Sequence, residues 1–238
     1  MLAATVLVLA PQAQARDVAK FKLLSISGTT DSARDVVYEP SDYGSCSFSQ
    51  TERISFHSTE RTTAYAYTSK AHGSRRVEWS SSSTFTGNLT QVKVPGEVTV
   101  ERSAAYHQTN YVDPDTGDTF PGCYNEPSPV DCSVKRTFPA ALLIGGSSDS
   151  EESTYVVPSL PSREVNELDD ACPVELSQGG DDPGLFSRAD LFKKKPKRLA
   201  DTDRAEAPVF DNPSDNATVT GTIVQHLTAE LKRKKHRS

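Results

Sequence analysis

Gln91-Val-Lys-Val-Pro-Gly-Glu-Val-Thr-Val-Glu-Arg102 decides the fold class. Val92 and Val94 alternate with polar neighbours, and Val98 and Val100 do so again after Pro95-Gly96. Successive side chains of a strand point to opposite faces, so a period of two marks half-buried β structure. Pro-Gly suits the centre of a type II turn. The stretch therefore reads as two strands around a turn. That turn type does not match the twist of a tight two-residue hairpin, so a bulged or wider connection is expected.

The same period recurs on both sides. Lys20–Ile26 reads as a first strand and Asp35–Tyr38 as a short second one, with Gly28 and Asp31 as turn residues between them. Arg53–His57 puts Ile54 and Phe56 on one face. Thr63–Tyr67 separates Tyr65 and Tyr67 from Ala64 and Ala66. Arg75–Trp79 brings Val77 and Trp79 together. Lys135–Ile144 and Thr154–Val157 add two more strands. Asn110–Cys132, Gly145–Ser153 and Ser177–Gly184 read as loops, and residues 200–216 as an extended polar connection. In Ala217–Leu231, Val219, Ile223, Leu227, Ala229 and Leu231 share one face. The β-branched run through Thr218–Val224 favours a strand over a helix. The expected fold class is all-β: an antiparallel β-sandwich or barrel-like domain stapled by two disulfides.

The chain has 238 residues, enough to bury roughly 70% of its unfolded surface in one domain. Residues 2–10 form an apolar run, followed by Pro11 and the small-x-small triplet Ala13-Gln14-Ala15. These are parts of a secretory signal peptide, although no Lys or Arg precedes the run. The expected organisation is a signal peptide at 1–15 and a single β-rich extracellular domain at 16–238. The run is too short to span a bilayer, so no transmembrane segment is expected. Localisation would be secreted.

Residues 1–187 hold 14 Lys and Arg against 25 Asp and Glu, whereas residues 188–238 hold 12 against 7. An acidic body argues against a dedicated nucleic-acid binder. Lys193-Lys194-Lys195-Pro196-Lys197-Arg198 could contact an acidic cell-envelope polymer, or could simply protect an edge strand from pairing.

The four cysteines are Cys46, Cys123, Cys132 and Cys172. An even count behind an export signal reads as two disulfides. The short turn-rich segment between Cys123 and Cys132 suggests that pair, leaving Cys46–Cys172. A loop of about 127 residues would then contribute roughly 5 kcal/mol, more than the short one. Neither Cys-x-x-Cys nor clustered His is present, so no zinc site is expected.

Three features together resemble a loose group of uncharacterised exported β-rich proteins of actinobacterial lineages. The first is Ser27-Gly28-Thr29 leading to Tyr38 and Cys46. The second is Glu52-Arg-Ile-Ser-Phe56 before a Ser/Thr-rich turn. The third is Ala171-Cys172-Pro173, then Pro183-Gly184-Leu185, a basic stretch and a Thr/Val/Leu strand ending in Lys and Arg. The resemblance implies the fold class and export, and carries over no functional residue.

Candidate sites are few. Asp113-Pro-Asp115-Thr-Gly117-Asp118 spaces its carboxylates like a calcium loop, but Tyr124 stands where the closing Glu belongs, so a solvated turn is expected. Ser is abundant, and His57, His72, His107, His226 and His236 offer bases, yet no Gly-x-Ser-x-Gly elbow is present. Tyr65, Tyr67, Tyr106, Tyr111 and Trp79 could build a carbohydrate platform, or pack across strands. The expectation is no catalytic residue, no cofactor and no metal. The chain reads as a non-catalytic secreted structural or interaction domain, with an extracellular protein or cell-envelope polymer as partner. The alternative is an exported hydrolase or carbohydrate-binding module.

Overall fold

A computed structural model describes residues 17–38, 44–71, 74–82, 91–120, 131–146, 154–174, 184–193, 197–208 and 217–235. The fold is built from antiparallel strands: β1 (Val18–Tyr38), β2 (Gly44–Ser58), β3 (Thr63–Ala71), β4 (Ser74–Ser80), β5 (Val92–Val112), β6 (Thr119–Phe120), β7 (Cys132–Gly146), β8 (Thr154–Ser159), β9 (Arg198–Pro208) and β10 (Ala217–Lys234). Among the described residues one α-helix, α1 (Ser162–Ala171), lies between β8 and β9. Among the described residues no helix is long and apolar enough to cross a membrane.

The sheet runs β4-β3-β1-β2-β5-β7-β8, with β10 and then β9 joined to β1. β1 is shared between partners. It pairs with β3 over Val18–Lys22 and with β2 over Ser27–Val37, while β10 follows its other edge from Lys20 to Tyr38. A register shift between Leu23 and Ser25 resets which face each residue takes. Ala19, Phe21 and Leu23 point inward before it, and Ile26 after it.

The inner face carries one core. Ile54, Phe56, Ala64, Ala66, Val77, Trp79, Val92, Val94, Val98, Val100, Phe138, Leu142, Ile144, Leu227, Ala229 and Leu231 all belong to it. The periodicities that mark Ile54/Phe56, Val77/Trp79 and Leu227/Ala229/Leu231 thus correspond to buried faces. Thr63–Tyr67 departs from its expected pattern, because Tyr67 is buried as well as Ala64 and Ala66; its hydroxyl donates to the Ser82 carbonyl at 2.7 Å.

The two ends of the strand path approach each other. A Cβ on Gly146 of β7 would stand 1.7 Å from the Val77 carbonyl oxygen of β4. Trp79 Nε1 of β4 donates to Thr154 Oγ1 of β8 at 3.0 Å. Gly146 is therefore a position where only a missing side chain lets two backbones touch.

Two expected turns are strand interior instead. β5 runs unbroken through Pro95-Gly96. The Thr59 amide donates to the Pro95 carbonyl at 3.0 Å, so Pro95 turns its missing donor toward the β2 side, where β2 ends at Ser58. Its N–H and C=O positions point to the same side of the ladder, so this is the edge-like setting that tolerates proline. A Cβ on Gly96 would meet the His57 carbonyl oxygen and Leu142 Cγ at 2.8 Å. Likewise Gly28 is no turn residue. It sits within β1 because the Phe56 ring lies where a Cβ would be. β9 also replaces part of the expected connection at 200–216, with alternating exposure along its length.

Helix α1 covers the inner face of β5 and β7. Leu168 is fully buried beneath it. Arg102 of β5 donates to Asp169 at 2.5 Å and to Glu52 at 2.6 Å. Arg136 of β7 donates to Glu167 at 2.5 Å, and Arg163 adds a helical i,i+4 pair to the same carboxylate.

The cysteine pairing differs from the expected one. Cys132 bonds Cys172, across 5.4 Å between their Cα atoms. Helix α1 ends directly over the start of β7, which brings these two together. Cys46 is opposite Gln108 on β5, while Cys132 is opposite Ala104. That displacement is about 14 Å along the strand, beyond the roughly 7 Å a disulfide can bridge. The Cys132–Cys172 bond rules out both expected pairs, Cys46–Cys172 and Cys123–Cys132. Cys46 is itself disulfide-bonded and buried, and Cys123 lies outside the described residues.

Candidate functional site

Residues whose side chains leave the core build a broad outer face, and the ladder arranges them in rungs across four strands. One rung is Asp31 (β1), Arg53 (β2), Glu101 (β5) and Lys135 (β7). Its charges alternate. Arg53 Nε stands 3.4 Å from Asp31 Oδ1, and Lys135 Nζ 2.6 Å from Glu101 Oε1. These side chains are between 41% and 66% exposed, so the pairs are solvated and easily exchanged.

Hydroxyls fill the rungs on either side. Ala33, Thr51, Ser103 and Ser133 form one, with Thr51 Oγ1 and Ser103 Oγ 2.7 Å apart. Thr29, Ser55, Thr99 and Thr137 form the other, with Thr99 and Thr137 hydroxyls 2.8 Å apart. The charged rung and the Ala33 rung line a groove of about 550 Å³, to which β10 adds Thr222 and Val224. The neighbours follow from the period of two. Inward Ile54 and Val100 leave Arg53 and Glu101 no face but the outer one.

Farther along, Ser27, His57 and Glu97 share a rung. The sequence alone could not align them, because they come from three strands. Ser27 and His57 are exposed, and among the described residues no side-chain hydrogen bond links the three. Nucleophilic catalysis needs a Ser held by a base that is itself held. His107 and His226 are exposed on other rungs, and His72 and His236 lie outside the described residues.

Among the described side chains the candidate aromatics do not converge. Trp79 and Tyr67 are core residues. Tyr65 lies under Lys20 Nζ at 5.4 Å. Tyr106 donates to Gln108 Oε1, and Tyr111 is placed opposite Phe120.

The Asp113 turn is explained by its own backbone. Asp113 Oδ1 accepts from the Asp115 amide at 2.8 Å and from Thr116 at 3.3 Å, and Gly117 takes a positive φ of 75°. The Asp115 amide chiefly holds the Asp113 carboxyl below the usual range. Among the described residues no group of three or more His, Cys, Asp or Glu could hold a metal ion. Millimolar calcium is expected to leave the melting temperature within one degree or so; a rise of several degrees that Asp115→Ala removes would contradict this.

In the basic stretch, Arg198 pairs with Glu230 across β9 and β10. Residues 194–196 lie outside the described residues, as do residues 1–16 with the expected signal peptide.

Scanning protein-family models and searching curated proteins returned no match to this chain.

Glu167 gives the site's scaffold a pH dependence. Hydrogen bonds from Arg163 and then Arg136 hold its carboxyl below the usual range. A carboxyl lowered on folding stabilises above its unfolded pKa, about 4.3, and that support is lost as pH falls through the folded value. The protection of α1 amides, measured relative to their intrinsic exchange rate at each pH, is therefore expected to fall between pH 5 and 3. Glu167→Gln should flatten that dependence; an unchanged profile would refute it.

Proposed function

We propose that this chain is an exported, non-catalytic interaction domain whose working surface is the outer sheet face. The observation that carries it is the groove with its alternating charged rung, set among solvated hydroxyls. Such a surface offers many weak polar contacts over an open area. Among the described residues it holds no nucleophile bonded to a base, since no side-chain hydrogen bond joins Ser27, His57 and Glu97 on their shared rung. The exported setting rests on the apolar run at 2–10 and Ala13-Gln14-Ala15, with cleavage after Ala15. Kinship with the exported β-rich group belongs to the same reading.

A barrel-like closure supports that surface. The contacts of Gly146 with Val77 and of Trp79 with Thr154 favour it over a sandwich. A second staple, Cys46–Cys123, completes the proposal, because Cys132 and Cys172 bond each other and Cys46 is disulfide-bonded. Two bridges suit a setting without a reductant pool.

Purified protein offered ester, peptide and glycoside reporter substrates is expected to give no turnover above buffer. Turnover that His57→Ala abolishes would overturn the non-catalytic reading.

A further inference from the structure

We propose that the outer-face groove binds a neutral polysaccharide strand laid across β1, β2, β5 and β7. This inference rests on the interaction-domain reading and names the class of its partner.

The argument begins with charge. Asp31, Arg53, Glu101 and Lys135 sum to zero, and they alternate acceptor and donor at each strand, about every 4.8 Å. A polyanion needs a field of one sign and gains its affinity by releasing counterions. The rung supplies no such field. A polycation would face Arg53 and Lys135 in the same way. A neutral chain with hydroxyls on every unit can donate to each carboxylate and accept from each cation.

The second strand of the argument is hydrogen-bond capacity. The two ion pairs of the rung are exposed, so loosening them for a ligand costs little. Thr51 and Ser103 already bond each other, and each hydroxyl keeps further capacity to donate or accept. A ligand that is itself both donor and acceptor matches either orientation of these hydroxyls. Ala33 and Val224 add apolar area for the carbon faces of sugar rings.

The groove crosses the sheet from β10 to β7. A volume of about 550 Å³ spread over five strands has room for a few sugar units. None of the groove's described lining residues is aromatic, so affinity would come mainly from polar contacts, which suits a repeated polymer engaged by many copies.

The test is affinity electrophoresis of the full chain in gels containing dextran, laminarin, soluble xyloglucan or arabinogalactan, with dextran sulfate as a polyanion arm. Retardation by at least one neutral polymer is expected, changing less than twofold between 50 and 500 mM NaCl. Arg53→Ala and the pair Thr51→Ala/Ser103→Ala should each weaken it at least fivefold. Circular dichroism checks that the variants stay folded. Arg198→Ala, outside the groove, should bind as the parent does. Retardation by none of the neutral polymers overturns the inference. So does retardation by dextran sulfate alone with a steep loss in salt, or neutral binding indifferent to both groove variants. Assaying the same mixtures for new reducing ends separates the two readings. Cleavage of a retained polymer would sink the non-catalytic function and leave the groove standing.

Discussion

Trp79→Ala is expected to destabilise the fold by roughly 3–5 kcal/mol, the range for deleting a large buried aromatic. Trp79 is 1% exposed and is the sole Trp in the chain. Its ring lies 5.9 Å from that of Phe21, and its Nε1–H reaches from β4 to Thr154 of β8. The substitution removes core volume and leaves Thr154, itself buried, without that donor. Trp79→Phe separates the two effects. It retains most of the apolar ring but not the donor, so about 1–3 kcal/mol should be lost. Urea unfolding followed by far-ultraviolet circular dichroism measures both. A loss below about 1.5 kcal/mol for Trp79→Ala would mean that the core around Trp79 is loosely packed.

Removing Cys132–Cys172 has the next largest expected effect. The bridge spans a sequence separation of 40, for which chain entropy gives about 4 kcal/mol. Non-reducing peptide mapping should recover Cys132 linked to Cys172; a dominant Cys123–Cys132 peptide would reject the geometry. In Cys132→Ala/Cys172→Ala the loss should centre on α1. Leu168 and the pairs Arg102–Asp169 and Arg136–Glu167 still hold the helix, but its C-terminus is no longer anchored. Proteolysis near residues 170–174 should become faster than cleavage within the sheet. Equal resistance of oxidised and double-mutant protein would show that packing alone fixes α1.

The strands were legible because burial on one face imposes a period of two, and that signal is local. Ile54/Phe56, Val92/Val94, Val98/Val100 and the alternation of β10 all carry it. The strand ends were not legible. Gly28 and Pro95-Gly96 carry turn chemistry, yet each answers to a neighbour far along the chain: the Phe56 ring, the end of β2, and Leu142. Local grammar cannot see such partners. Helix α1 escaped notice because one buried residue, Leu168, is too little periodicity to detect; the Arg163–Glu167 spacing and the preceding Pro161 were the available cues. The candidate groove was hidden for the same reason as the disulfide pairing. Asp31, Arg53, Glu101 and Lys135 are ordinary exposed charges until register aligns them.

The shared pairing of β1 also governs when the molecule can exist at all. One edge of β1 is completed by β3 and β2, soon after it in the chain, but the other waits for β10, about 200 residues later. Pairings that distant make folding slow, because the loop must close before the contacts repay it. A half-finished chain therefore holds an open β1 edge with no partner in reach. That edge is covered only when the final strand is made.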